Sequence, residues 1–170
     1  MTRPVWWEQT ATDGCARAGV LHTCHGDALT PGFMPVGTRA AVRAVDVDDL
    51  EAVGAEILLA NTYHLMLRPG ADTIERVGGL HRFWGWAGPI LTDSGGFQIF
   101  SLTPGITEAG AEFRSTYDGA RVSLTPEDAV VVQERFGADI AMVLDICVGL
   151  PASIEVVTAG MELTLRWAQR

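Results

Sequence analysis

The chain has 170 residues, 48% of them hydrophobic and 19% charged, which provides for a domain with a buried core and excludes wholesale disorder. Its twelve basic residues, all arginine, face 21 acidic ones for a formal net charge of −9, so composition alone argues against nucleic-acid binding by long-range repulsion. No apolar run reaches the ~18 residues of a membrane span, Met1–Gln9 has no long apolar stretch and predicts no secretory leader, and three scattered cysteines suit a reduced, cytoplasmic compartment.

In chain order, Ala16–Cys24 predicts a strand followed by a turn at His25-Gly26-Asp27. Met34–Val36 is a short buried strand bounded by Gly37, and Asp46 caps a helix that runs through Val53 to Gly54. Glu56–Ala60 is a strand stopping at Asn61-Thr62. Tyr63–Val77 predicts short helical pieces broken at Pro69-Gly70, with Gly78-Gly79 as a further stop. Trp84 and Trp86, on either side of Gly85, are expected to fill core gaps. Pro89–Thr92 is the next strand, ending at Asp93-Ser94-Gly95-Gly96, and Ala111–Leu124 resembles a hairpin turning at Tyr117-Asp118-Gly119. Thr125-Pro126-Glu127-Asp128 supplies an N-cap, a proline at N1 and acids in the first turn of a helix closed by Gly137. Ala138–Leu144 is a strand ending at Asp145, and Pro151-Ala152-Ser153 starts a last helix toward Arg170.

Strands alternating with helices predict an α/β fold with a parallel sheet and right-handed crossovers. No repeat, low-complexity segment or linker divides residues 1–170. Asn61, Asp93 and Asp145 each stand at the carboxyl end of a different strand, the edge that carries ligand and catalytic groups in parallel α/β folds. About four strand–helix units are present where a (β/α)8 barrel has eight, so the chain reads as half a barrel with an inserted hairpin.

Leu91–Gln98 is the strongest local signal. Gly95 and Gly96, after a carboxylate and a hydroxyl, let backbone approach a flat ligand; Phe97 can stack, and Gln98 both donates and accepts. A tight turn capped by Asp93 is the plain alternative. Asp-Ser-Gly-Gly also occurs in trypsin-like proteases, with His22 or His25 as base, but that fold is antiparallel and disulfide-bonded. Asn61-Thr62 can equally be a helix cap, and Asp145 a capping acid; if Asp145 is buried it needs a donor-rich partner. Cys147 can be a nucleophile or an inert thiol. His22, Cys24 and His25 lack a fourth metal ligand at sensible spacing, so an exposed turn is the expectation there.

Pro31–Thr38, Leu59–Leu65, Arg68-Pro69-Gly70, Gly78–Phe83, Leu91–Phe97 and Asp139–Met142 together resemble the tRNA-guanine transglycosylases, in order and over nearly the whole chain, and more closely the bacterial queuosine-pathway branch. The resemblance implies a (β/α)8 barrel that exchanges an anticodon guanine of tRNA for a 7-deazaguanine such as preQ1, through an aspartate that attacks the ribose C1′. It makes Asp93 the general acid/base and Asp145 the acceptor of guanine's donor edge. Asn61, Ser94, Gly95, Gly96, Phe97, Gln98 and Cys147 become residues lining the same pocket. It further implies a cytoplasmic homodimer, with the nucleophilic aspartate, a Cys/Cys/Cys/His zinc subdomain and much of the basic tRNA surface beyond Arg170, so that residues 1–170 carry no metal ligands and are inactive alone. Ile146 and Val148-Gly149-Leu150 depart from the more polar run of many bacterial members, at positions that bear on the deazaguanine side chain. A non-catalytic partner subunit or degenerate paralogue of the same barrel is the other reading; Asp93, Ser94 and Asp145 all being present favours the enzyme.

Overall fold

In the computed structural model, which describes residues 5–102 and 104–170, the strands form three sheets. The opening of the Met1–Gln9 segment, through Pro4, lies outside the described residues. The first sheet is antiparallel, with β1 (Trp6–Asp13), β2 (Ala16–Thr23) and β3 (Gly26–Thr30) in chain order. The sequence reading finds only β2, and it places a turn at His25-Gly26-Asp27 where β3 has already begun. All eight residues of β1 are exposed, so no alternation of apolar and polar positions marks that strand.

The second sheet is parallel and positions the site. It contains β4 (Val36–Gly37), β5 (Leu58–Ala60), β6 (Ile90–Thr92) and β10 (Ile140–Ala141), in the spatial order β10-β6-β5-β4. Val36 registers with Leu59, Leu58 with Ile90, and Leu91 with Ile140. Neighbours in space are therefore successive parallel strands, with no reversal of order. Helix α1 (Val47–Ala52) links β4 to β5 and is capped by the Asp46 carboxylate, which accepts from the Asp49 amide at 2.9 Å. Between β5 and β6 run α2 (Thr62–Leu67), α3 (Ala71–Arg76) and α4 (Leu80–Trp84), separated at Pro69-Gly70 and Gly78-Gly79 as the breaker residues demand.

After β6 come α5 (Gly96–Phe100) and the third, antiparallel sheet of β7 (Gly105–Thr107), β8 (Gly110–Arg114) and β9 (Arg121–Leu124). Helix α6 (Pro126–Phe136) starts with a reciprocal capping box between Thr125 and Asp128 and ends at Gly137, whose φ of 68° few other residues adopt cheaply. Helix α7 (Ile154–Ala168) follows N-cap Ser153. One buried cluster joins the parallel sheet to α1–α4 and α6 through Leu58, Ile90, Ile74, Leu80 and Phe136, with Trp84 and Trp86 filling gaps. A second joins the third sheet to α5, α6 and α7 through Phe113, Leu124, Ile99, Ala129 and Trp167.

Strand β10 is shorter than its apolar run, and at its end a side chain joins the ladder, where the Met142 N–H also donates to the Thr92 carbonyl at 3.2 Å. The buried Gln133 amide accepts from Thr92 Oγ1 and the Met142 N–H, both at 2.9 Å, and donates to the carbonyls of Ala129 and Met142 at 3.0 and 2.9 Å. All its polar valences are filled, so burying it leaves no unpaired group. This mixed α/β architecture rules out the trypsin-like alternative. The strands that carry the site are parallel, and none of Cys15, Cys24 and Cys147 forms a disulfide.

Candidate active site

The carboxyl ends of β5 and β6 converge because their registers match, Ala60 opposite Thr92. The Asp93 amide continues the ladder by donating to the Ala60 carbonyl at 3.1 Å. Its carboxylate then turns toward the start of α2. Oδ1 accepts from the Thr62 N–H at 2.7 Å and the Gly95 N–H at 3.2 Å, while Oδ2 accepts from Asn61 Nδ2 and from Gln98 Nε2 at 3.3 Å. Four neutral donors thus fix this side chain. Asn61 occupies the N-cap position of α2 but makes no capping hydrogen bond; its amide is committed to Asp93. Gln98 Oε1 is buried with no partner, an acceptor left over for a ligand.

Asp145 approaches the same turn from beyond β10. Ser94 Oγ donates to its Oδ1 at 2.6 Å, and the Gly96 N–H donates to Ser94 Oγ at 3.0 Å. The two glycines have different physical reasons. Gly95 sits at φ 82°, in the left-handed region. At Gly96 a Cβ would stand 2.5 Å from Asp145 Oδ1, so only a missing side chain admits the carboxylate. Asp145 caps no helix. The Cys147 thiol donates to its Oδ2 at 3.6 Å, and burial, with the Asp145 charge beside it, pushes that thiol up to about 11. Cys147 is therefore a protonated donor at neutral pH, which corrects the nucleophile option.

A cleft of about 290 Å³ contains Asp93, Ser94, Gly95, Phe97, Met142 and Asp145. Phe97, at 70% exposure, stands free at its mouth for a planar partner. A second concavity of about 420 Å³ lies on the other side of Asp145, between α5, Ile146 and Trp167, and is almost wholly apolar. Both carboxylates and the Ser94 hydroxyl meet in the smaller space. The structure thus brings together Asn61, Asp93, Ser94, Gly95, Gly96, Gln98, Asp145 and Cys147, with Phe97 at the rim.

The histidines separate. His22 hydrogen-bonds Asp27 at 2.8 Å and Glu8 at 3.3 Å on the exposed first sheet. His25 instead reaches Asp139, Nδ1 to Oδ1 at 2.7 Å, and His81 reaches Oδ2 of the same carboxylate at 3.1 Å. The two imidazoles stack at 3.6 Å between centroids. Among the described residues these three form the one group of possible metal ligands within mutual reach. Both carboxylate oxygens already face imidazole nitrogens, and Oδ2 also accepts the Ile90 N–H at 2.9 Å, which is the geometry of a hydrogen-bonded clamp. Sequence reasoning missed it because 114 residues separate His25 from Asp139.

It also missed a cluster beside the cleft, where His64 Nδ1 and the Tyr117 hydroxyl lie 2.9 Å apart and the Arg68 guanidinium lies 6.0 Å from the centre of the Tyr117 ring. Burial, and then the Arg39 charge, hold His64 below its ordinary value against the opposing pull of Asp93.

The family model described as Queuine tRNA-ribosyltransferase matches residues 12–170. Proteins named queuine tRNA-ribosyltransferase are similar throughout. The one from Nitratidesulfovibrio vulgaris is 55% identical over 172 residues, covering 100% of this chain and 46% of its own length. That from a Ruegeria species is 53% identical over 166 residues, 96% of this chain and 44% of the relative. That from Granulibacter bethesdensis is 54% identical over 162 residues, 94% and 43%. The chain therefore spans less than half the length of these relatives.

Proposed function

The chain belongs to the queuine tRNA-ribosyltransferase family, and on that premise we propose that it forms the base-exchange pocket of a tRNA-guanine transglycosylase, a pentosyltransferase of queuosine tRNA modification. The observation that carries the proposal is the meeting of Asp93, at the end of β6, and Asp145, from the chain beyond β10, across a cleft with Ser94 between them and Phe97 at its rim. Asp145 presently accepts from one hydroxyl and one thiol. Guanine N1–H and the exocyclic amine are a donor pair of the same kind and would replace them on its two oxygens. The purine face would stack on Phe97, offsetting part of the cost of leaving the anticodon stack. Asp93, held by four donors, would give or take the proton at the exchanged base.

The same reading treats β4, β5, β6 and β10 as the first four strands of a (β/α)8 barrel. Their unreversed order supports it, since a doubly wound sheet reverses direction at its switch point. Residues 1–170 then belong to a single catalytic domain, and the third sheet is an insertion between β6 and α6. The substrates are tRNA, guanine and a 7-deazaguanine such as preQ1, in a cytoplasmic homodimer. No helix among the described residues is long and apolar enough to cross a membrane.

The zinc that the family resemblance implies does not fit here. Cys15 and Cys24 are exposed, and Cys147 is occupied with Asp145. No step of the proposal runs through that metal. The test is incorporation of radiolabelled guanine into tRNA by the whole protein, with preQ1 as competitor. Exchange that preQ1 suppresses is expected, whereas tRNA binding without any exchange would favour the non-catalytic reading.

A further inference from the structure

We propose that Arg39, Arg68, His64 and Tyr117 form a subsite for an RNA phosphodiester beside the purine cleft. The inference rests on the base-exchange reading of Asp93 and Asp145, and it concerns where the charged backbone next to an extruded guanosine is held. The sheet places these groups together. Gly37 registers with Ala60 at the carboxyl ends of β4 and β5, so Arg39 leaves the sheet at the edge where α2 begins. His64 lies three residues after Asn61 on α2, one helical turn along, where side chains are ~5–6 Å apart at Cβ. Asn61 touches Asp93, so the subsite begins one turn from the proposed acid/base.

The cluster is also built to accept an anion. The chain's net charge is −9, and Arg135, Arg166 and Arg170 are bound to carboxylates. Arg39 and Arg68 have no acidic partner among the described residues. Arg68 lies over the Tyr117 ring, and Tyr117 is tied to His64 and so holds the β8–β9 turn against α2. A guanidinium matches two phosphate oxygens with parallel N–H donors. When His64 Nδ1 accepts the Tyr117 hydroxyl, Nε2 carries the ring hydrogen and can donate as well. Among the groups facing His64, Arg39 lowers its proton affinity and Asp93 opposes that. A phosphate bound to Arg39 would remove the first influence, so ligand binding should raise the titration midpoint of His64.

The experiment uses the full protein with two probes: free guanine, and a short RNA hairpin with one loop guanosine, the latter titrated at several salt concentrations. Arg39→Ala and Arg68→Ala should each weaken RNA binding about 3–10-fold and reduce the salt slope by about one, with guanine affinity unchanged. Arg39→Lys should retain the slope. Imidazole NMR should show His64 titrating higher in the RNA complex. Wild-type RNA affinity and slope in both alanine variants would overturn the subsite. So would wild-type protein that binds guanine but not RNA. Failure to bind guanine at all would instead defeat the purine reading beneath it.

Discussion

Strand β6 meets an aspartate at each end, Asp93 directly after it and Asp139 from the start of β10, and the two are held in different ways. At the amino end Asp139 accepts from His25, His81 and the Ile90 amide, and its side chain is 1% exposed. At the carboxyl end Asp93 accepts from two backbone amides and the side-chain amides of Asn61 and Gln98. The donors at the lower end come from elements far apart in the chain, whereas those at the upper end come from α2 and the turn into α5. The lower aspartate is thereby a lock, tying the first sheet's His25 to the base of the parallel sheet. The upper one is held in orientation at the wall of the cleft by its four amide donors. The same residue type, at opposite ends of β6, closes a contact between two sheets at one end and faces the cleft at the other.

Asp93→Asn in the whole enzyme is the strongest way to break this contrast. It should cut guanine incorporation by about 10²–10⁴-fold while leaving the melting temperature near wild type. Exchange within about threefold of wild type would remove Asp93 from the chemistry. Asp139→Ala should do the reverse. It leaves two imidazoles and an amide facing a void, which costs about 2–4 kcal/mol in urea unfolding, with exchange per folded molecule retained. An unchanged urea midpoint would dissolve the lock. Asp145→Ala should weaken guanine binding by roughly 1–3 kcal/mol in calorimetry, because the purine's donors lose their acceptor, with little loss of stability.

The smallest effect expected is on pH dependence. Burial alone would raise Asp139, but the hydrogen bonds from His81 and His25 and the Ile90 amide overcome it and hold the carboxyl well below the usual range. A carboxyl lower in the folded state binds fewer protons there than when unfolded. Its contribution is thus present above the unfolded value near ~3.9 and is lost as pH falls from there toward the folded one. Asp139→Asn should flatten the fall in unfolding free energy below about pH 4; an identical acid limb in both proteins would contradict it.

Much of the upper end is legible in the sequence because its signals are local. A strand that stops at Asn61 or Asp93 marks the edge by itself, and Gly95-Gly96 marks the close approach; the strand expected to run to Asp145 stops at Ala141. Helix α6 announces both its ends through Thr125-Pro126 and Gly137. The lower end is silent because its partners are remote in sequence. Nothing near His25 points to Asp139, and β1 carries no burial pattern. Helices α4 and α5 span five residues each, too short for a 3.6-residue period to register. Gln133 was invisible for a different reason: a polar residue on a helix reads as solvent-facing until the groups around it are known.

That glutamine changes what the chain beyond it can do. A strand normally has to remain in its ladder to be held in place. Here the side-chain amide grips Met142 through both its N–H and its carbonyl, as a neighbouring peptide group would. The backbone can therefore depart from β6 after Met142, whose N–H makes the last contact to the Thr92 carbonyl at 3.2 Å, and the next residues bend Asp145 over Ser94 instead of running straight past it. An ordinary edge strand would have to choose between being anchored and being aimed; the borrowed amide gives this one both. Exchanging it for glutamate would set a third acceptor against the carbonyls of Ala129 and Met142, so the isostere that differs by one atom is the one this tether tolerates least.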